Sequence, residues 1–344
     1  SGGHVIPALI LYEHLSKKEN VIISTDKRGL KYLDNEFYKC KIINTPKLDN
    51  ILLIPYNMIK IFILTLKSFF LLKNQKVEKI FSTGGYMSLP LCLAAKVLDI
   101  KIFLIEPNMV LGRANKFFLN FSKKILCYSR NLLNLPKKFE QKQIIIRPLI
   151  RKKYYEKNNI TKKNSSFSIM IIGGSQGARI FDNFINEILV KISKIFSLKV
   201  IHQTSEKNIN SLKNFYEENK IENKVFAFDQ NLNELLKQSD ICITRAGASS
   251  LAELSLLNIP FIAIPLPSSK DNHQYENAKY YKDNDCCWVI DQDSFDKQKF
   301  EELLINISSK KDEYLKKKNN LERLNFQNTW NNVNQNLLNI IDEN

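Results

Sequence analysis

Residues 241–278, ICITRAGASSLAELSLLNIPFIAIPLPSSKDNHQYENA, alternate apolar runs with glycine and proline breaks in a pattern that few folds accept. Ile241 to Thr244 is a short apolar run between Asp240 and Arg245, as in a strand buried on both faces. Gly247 permits a tight turn, and Ser249 or Ser250 can cap a helix through Leu251, Leu254 and Leu257. A second apolar run, Phe261 to Ile264, is stopped by Pro265 and Pro267. Asp271, His273, Gln274 and Asn277 then head a further helix. Strand, turn, helix, strand, loop, helix builds a parallel sheet, and ligands of open α/β sheets bind beyond the carboxyl ends of the strands. Free amides at two helix starts suit a phosphate. Glu253, one turn into the first helix, is better placed for a sugar hydroxyl. The stretch reads as a nucleotide or nucleotide-sugar pocket.

The same alternation runs through the rest of the 344-residue chain, which is long enough for two ordinary domains. In the first half, strands are expected at 21–24, 38–43, 79–82, 102–105, 125–128 and 143–146, with helices at 27–36 and 57–72. Arg147-Pro148 and the basic polar stretch after it mark a boundary. Strands at 167–172, 199–203, 225–228, 241–244, 261–264 and 286–290 fill the second half, and 295–318 and 327–341 close the chain as helices. The expected fold class is α/β, with two Rossmann-like parallel-sheet domains facing each other across a cleft.

Glycine loops open several of the helices. Gly173-Gly174-Ser175-Gln176-Gly177 follows a strand; its glycines let backbone amides approach a diphosphate, and Ser175 can add a hydroxyl. It is neither a Walker loop, since no lysine follows, nor a G-x-G-x-x-G, and a purely structural turn is the competing reading. Gly84-Gly85-Tyr86-Met87-Ser88 is a second such loop, and Ser1-Gly2-Gly3-His4 a third. The third has no strand before it, so a strand of about five residues is expected upstream of Ser1. His4 can accept a proton near neutral pH if it stands beside an acceptor hydroxyl; otherwise it caps or packs. Glu106, closing the 102–105 strand, is the rival base, or else a partner of His4 or Asn115.

Composition narrows the partners less than the motifs do. Lys and Arg outnumber Asp and Glu by 51 to 35, and the net charge of +16 fits nucleic acid, an anionic membrane surface, phosphorylated substrates or a biased genome. No Arg-rich run or recognition module favours nucleic acid. Cys40, Cys92, Cys127, Cys242, Cys286 and Cys287 form no C-x-x-C pair and read as reduced packing residues, which points to the cytoplasm. His4, His14, His202 and His273 lack metal-site spacing, and no Asp-x-Asp pair reads as a metal clamp on a diphosphate. Neither a metal nor another cofactor is expected, nor is a secretory signal. Residues 51–72 are apolar, but Pro55, Asn57, Lys60 and Lys67 interrupt them, each central lysine costing roughly 2.5–3.5 kcal/mol in a span. A buried or interfacial helix is expected there.

Arg245-Ala-Gly-Ala with Glu253, Pro265-Leu-Pro and Asp271-Asn-His-Gln-Tyr-Glu-Asn-Ala278 resemble the donor site of the MurG family, and the other loops recur in that family's order. The resemblance implies the GT-B architecture, with 1–147 facing acceptor and membrane, 148–326 binding the donor, and 327–344 returning to the first domain. It implies inverting transfer of N-acetylglucosamine from UDP-N-acetylglucosamine to the muramoyl O4 of lipid I, giving lipid II for peptidoglycan. Implied donor contacts are Ser175, Asn108, Arg151, and Ala248, Ser249, Ser250, Leu251, Ala252 and Glu253 around the ribose and phosphates. Gln274 would hold the sugar hydroxyls, and Phe228 and Asp229 the uracil; Asp229 replaces an apolar residue, so its main chain is the expected contact, and Pro107 replaces a usual glutamine. Ser1, Gly2 and Gly3 count with the donor set, and the space their glycines leave also suits an acceptor diphosphate. Tyr86, Ser88 and Asn115 fall on the acceptor side, with His4 and Glu106 as catalytic candidates.

The resemblance further implies a peripheral place on the cytoplasmic face of the bacterial inner membrane, held through anionic lipids. On the 57–74 helix, Asn57, Lys60, Leu64, Lys67 and Asn74 form one stripe, and the remaining surface is largely apolar. Two rival readings are a UDP-N-acetylglucosamine 2-epimerase on the same fold and a non-catalytic nucleotide-sugar-binding scaffold of a cell-wall complex.

Overall fold

A computed structural model of the chain describes residues 2–33, 38–46, 51–156, 166–173, 181–182, 184–309 and 312–343. It divides into two compact units, Ser1–Arg151 with Thr329–Asn344, and Lys152–Asn328.

In unit 1, β1 (Ile23–Thr25) and β2 (Cys40–Ile42) form a parallel pair, while β3 (Lys79–Ser82), β4 (Lys101–Glu106), β5 (Lys124–Cys127) and β6 (Gln143–Ile145) form a four-stranded parallel sheet in chain order. Its helices are α1 (Gly2–Leu15), α2 (Ile54–Asn74), α3 (Ser88–Val97) and α4 (Arg113–Phe118). Ile102, Leu104, Ile125 and Cys127 on the sheet meet Leu72, Cys92, Ala95 and Phe118 on the helices in one buried cluster.

Unit 2 holds β7 (Phe167–Ile172), β8 (Leu198–Gln203), β9 (Glu222–Phe226), β10 (Ile241–Thr244), β11 (Phe261–Ala263) and β12 (Cys287–Val289) in one parallel sheet, ordered β12-β11-β10-β7-β8-β9. Its helices are α5 (Asn186–Ser193), α6 (Ile209–Glu218), α7 (Leu232–Lys237), α8 (Ala248–Leu256), α9 (His273–Asp283), α10 (Lys297–Ser308) and α11 (Asp312–Leu324). Every residue of β7 and of β10 is buried, which is why both read as apolar runs, with Ser168 and Thr244 their only polar residues. The expected α/β class with a parallel sheet in each half is what the chain forms. The helix expected over 295–318 is two, α10 and α11.

The last helix, α12 (Trp330–Glu343), belongs to unit 1 and packs against α1. His14 fastens the two: its ring stacks on Trp330 at 3.7 Å, and its Nδ1–H donates to Asn334 Oδ1 at 3.2 Å. Nε2 is buried without a partner, so a second proton has nowhere to bond. Burial therefore lowers the His14 pKa from 6.5 to about 4, the Asn334 bond opposing and Lys17 assisting. The unfolded chain takes this proton at a higher pH than the folded one. The stability His14 lends is thus full above pH 6.5 and lost as pH falls towards 4, by about 3 kcal/mol in all. Urea titrations should show that difference between wild type and His14→Phe shrinking by this amount from pH 7 to pH 4. A pH-independent difference would mean the histidine protonates without unfolding cost.

Helix α2 departs from expectation in the face it buries. Asn57, expected on one stripe with Lys60 and Lys67, is 7 % exposed and is buried with Ile61, Ser68 and Leu72, while α2 packs against α3. Asn57 and Ser68 share this buried face with two aliphatic residues, while most of the helix's large apolar side chains are left outside. Tyr56, Met58, Ile59, Phe62, Ile63, Leu66 and Phe70 are exposed, Phe62 by 64 %. A wholly buried helix is excluded. By length and composition α2 could cross a membrane, with a mean hydropathy of 1.3 over its most apolar window.

Candidate active site

In unit 2 the strand order runs outward in both directions from the β7/β10 pair. Doubly wound sheets bind ligands at this switch point. Two loops leave from it, Ile172 into Gly173 and Thr244 into Arg245-Ala246-Gly247, and the Arg245 amide donates across to the Ile172 carbonyl at 3.3 Å. Ser175 and the remainder of the first loop, Gly174 to Gly177, lie outside the described residues, as does Ser1.

Helix α8 starts at Gly247 with no side-chain cap, and its first backbone bond runs from the Leu251 amide to the Gly247 carbonyl at 3.0 Å. The amides of Ala248, Ser249 and Ser250 precede that bond, at the positive end of the helix dipole. These three residues and Glu253 are half-buried. Leu251 and Ala252 are different: their side chains are in the core, Leu251 at 0 % exposure, so they can meet a ligand only through the main chain.

Gln274 and Arg245 shape the same end of the sheet. Gln274 Oε1 accepts the amides of Leu266 at 2.9 Å and Ala246 at 3.3 Å, clipping together the loops after β10 and β11. Its Nε2 remains as the donor available to a sugar. Buried Arg245 gives Nη1 to the carbonyls of Ile264 and Pro265 and Nη2 to Gln292 Oε1, so this motif arginine is structural. At the end of β9, Phe228 is 79 % exposed, while the Asp229 carboxylate is taken by Lys224 at 2.9 Å and the Asn231 amide at 2.8 Å. The Lys224 bond holds its pKa below the usual carboxylate value. The carboxylate is thus turned to Lys224 and the Asn231 amide, which fits a main-chain contact from Asp229.

Gln274→Glu keeps the acceptor for both amides and removes the Nε2 donor, whereas Gln274→Ala loses both. The first should raise donor KM by about 0.5–1.5 kcal/mol with little change in Tm; the second should also lower Tm. Unchanged donor KM in Gln274→Glu would remove Gln274 from the sugar site.

In unit 1, His4 sits in the first turn of α1 against the glycine loop after β3. Its Nδ1–H donates to the Thr83 carbonyl at 2.7 Å, and Thr83 Oγ1 returns a bond to the His4 carbonyl at 2.8 Å. That fixes the ring and the tautomer, leaving the lone pair on Nε2. Gly84 and Gly85 hold φ of +81° and +83°, which favour glycine, and a Cβ on Gly85 would stand 3.2 Å from the His4 ring. A Cβ on Gly3 would meet nothing within 4 Å, so packing does not explain that glycine; one on Gly2 would press on Tyr32.

Glu106, 2 % exposed, accepts four bonds: Oε1 from the Asn108 amide (3.2 Å) and Nδ2 (3.1 Å), Oε2 from the Gly112 amide (2.8 Å) and Asn115 Nδ2 (2.9 Å). Burial raises its pKa, and these bonds pull it back. The carboxylate is a hub for the loop after β4, with its lone pairs used. Asn115 is buried as well, bonding the Ile105 carbonyl at 3.0 Å, and Ser88 Oγ donates to the Gly85 carbonyl at 2.8 Å. Both are tied to the loops that carry them, and Tyr86 is the exposed member of the expected acceptor set. Arg151 is half-buried where unit 1 gives way to unit 2.

Among the described residues no three His, Cys, Asp or Glu side chains gather as a metal site. Of the Asp-x-Asp pairs, Asp285 of 283–285 is held by Lys316 and Lys317, and Asp291 of 291–293 accepts the Asp293 amide.

The N-terminal domain model of glycosyltransferase family 28 matches residues 1–127, and the family's C-terminal domain model matches 168–333. A UDP-N-acetylglucosamine--N-acetylmuramyl-(pentapeptide) pyrophosphoryl-undecaprenol N-acetylglucosamine transferase of Pelagibacter ubique is 45 % identical over 345 residues, covering 100 % of this chain and 97 % of that protein. This chain belongs to the MurG family. The protein of the same name from Rickettsia bellii is 34 % identical, over 90 % of this chain and 88 % of its own length. The crystal structure of Acinetobacter baumannii MurG superposes with a TM-score of 0.78 at 22 % identity, covering 100 % of this chain and 97 % of that one, which shows a shared GT-B fold. A UDP-N-acetylglucosamine 2-epimerase structure has the same fold at a TM-score of 0.63 and 11 % identity, over 93 % of this chain and 90 % of its own. Thr83 and Gln292, which orient His4 and Arg245, carry no signal in the MurG-like motifs. The one cue was the place of Thr83 directly before two glycines.

Proposed function

We propose that the chain transfers N-acetylglucosamine from UDP-N-acetylglucosamine to the muramoyl O4 of lipid I. What carries the reading is a histidine with its Nδ1 spent on Thr83, in a chain related along its whole length to transferases of that name. His4 Nε2 takes the O4 proton as O4 bonds to the anomeric carbon from the face opposite UDP. The bond from that carbon to the UDP oxygen breaks, and the anomeric configuration inverts. Charge growing on the diphosphate is met by the open amides of Ala248, Ser249 and Ser250 and by the loop at Gly173. Glu253 faces the ribose, Phe228 the uracil, and Tyr86 the acceptor. No metal or cofactor is required for these steps.

Labelled UDP-N-acetylglucosamine with a lipid I analogue tests this against both rivals. A disaccharide-linked lipid supports transfer, whereas free epimerised sugar or bound, unreacted donor overturns it.

The acceptor lies in a bilayer, and α2 supplies the contact. Its exposed aromatic and aliphatic side chains are accompanied by exposed Lys60 and Lys67, the combination that suits an interface of anionic lipid. The reading has the chain peripheral on the cytoplasmic face of the bacterial inner membrane, and the exposed face of α2 supports a membrane contact. Vesicles containing anionic lipid should sediment the protein in a salt-sensitive way. At about 1 kcal/mol per lysine, losing both charges in Lys60→Glu/Lys67→Glu should weaken binding roughly 30-fold or more. Equal sedimentation of the two proteins would take α2 off the membrane.

A further inference from the structure

Asp26, Lys27, Arg28, Asn44 and Thr45 line a cavity of about 210 Å³ beyond the carboxyl ends of β1 and β2. Its one carboxylate is already satisfied, since Asp26 Oδ1 accepts the Gly29 amide at 2.9 Å and Oδ2 accepts Arg28 Nε at 2.7 Å. That pair cancels in charge and leaves Lys27 as the net cation. The Lys27 amide donates to Asn44 Oδ1 at 2.9 Å, which joins the two strand-end loops and leaves Asn44 its Nδ2 donor. Thr45 is 5 % exposed and its hydroxyl has no partner; the hydroxyl of Thr25, the last residue of β1, is likewise buried and unpartnered. Buried hydroxyls are rarely left unpaired. Lys27, Arg28 and Asn44 bring ammonium, guanidinium and amide donors to its rim, with the Thr45 hydroxyl buried beneath, a set that fits an oxyanion.

The segment that carries Lys27 and Arg28 packs on the helix that carries His4. A Cβ on Gly29 would stand 3.2 Å from Val5 Cγ2, and one on Gly2 would stand 3.3 Å from the Tyr32 ring. We propose that this cavity is an oxyanion subsite for the acceptor, taking a carboxylate or phosphate group carried by that molecule. The assignment rests on the transferase reading of His4. The relatives' acceptor, by its name, carries both a pentapeptide and a pyrophosphoryl group, so either chemistry is at hand.

Steady-state kinetics of the full chain with a lipid I analogue test it. Lys27→Ala should raise acceptor KM about ten-fold or more, the loss expected for a charge-assisted hydrogen bond, with donor KM and kcat within two-fold of wild type. Thr45→Val should act in the same direction and less strongly, and Lys27→Arg should restore wild-type KM. An analogue with its stem carboxylates amidated names the source. If amidation raises wild-type KM and adds nothing in Lys27→Ala, the group is a carboxylate. If the two proteins still differ on the amidated analogue, and inorganic pyrophosphate inhibits wild type more than the variant, it is the diphosphate. Acceptor KM unchanged in both Lys27→Ala and Thr45→Val overturns the subsite while leaving the transferase intact. Should wild type transfer no sugar at all, the transferase reading falls. Titration of pyrophosphate and acetate, followed by NMR, then decides the cavity by itself: binding that needs Lys27 retains an oxyanion site, and none removes it.

Discussion

His4→Ala should lower kcat by about 10²–10⁴-fold while donor KM and UDP affinity stay near wild type. The asymmetry follows from where the proton is taken. His4 acts on the acceptor hydroxyl in the transition state, so its loss removes no ground-state contact with the donor. Thr83 sharpens the test. Its carbonyl holds the Nδ1 proton at 2.7 Å, so the base is Nε2 in a fixed tautomer. In His4→Gln the side-chain amide can still donate to Thr83 but cannot accept the substrate proton near neutral pH. That variant should keep the wild-type Tm and lose the acidic limb of the pH–kcat profile. A loss of less than ten-fold in both variants would move the base elsewhere.

Much of this arrangement is legible in the sequence, and the exceptions share a physical cause. β7 and β10 fall on their expected boundaries because parallel strands buried on both faces are apolar along nearly their whole length. β3 does so as well, although it is an edge strand and only Ser82 of it is buried. β11 and β12 are shorter than the apolar runs that announce them, because pairing ends before apolar character does, while β1 lies later than expected and runs on to Thr25. Helix α2 misled for a different reason. Polarity suggests that Asn57 faces water, yet Asn57 and Ser68 are buried while Phe62 and Phe70 are exposed.

In the site, residue types mark which segments matter and do not divide the labour within them. Arg245 and Asn277 sit in the most telling motif and serve the fold: Asn277 Nδ2 bonds the Ala246 carbonyl at 3.1 Å, much as Arg245 ties the ends of β10 and β11. Leu251 and Ala252 belong to the core, while their neighbours Ser249 and Ser250 stand nearer the surface. Helical position decides between these roles, and a motif written as a string carries no helical position.

Glu106 gives the second large effect, on stability first and on activity through it. Removing the carboxylate in Glu106→Ala strands the amides of Asn108 and Gly112 and the side-chain donors of Asn108 and Asn115. Asn115 keeps the Ile105 carbonyl, and water can reach part of the gap. At about 1–3 kcal/mol for each buried donor left unpaired, two such losses cost about 2–6 kcal/mol. A fall of that size in urea-derived stability, with kcat reduced alongside it, is the expected result. Glu106→Gln separates positioning from catalysis. Glutamine fills the same space but turns an NH₂ towards one of the two donor pairs, so a positioning residue predicts lower stability and a pH–kcat profile that keeps the limb assigned to His4. A catalytic base predicts the reverse, with native stability, kcat down 10²–10⁴-fold, and the limb gone. The geometry favours the first outcome, because each Glu106 oxygen already accepts two hydrogen bonds and has no lone pair left for a substrate proton.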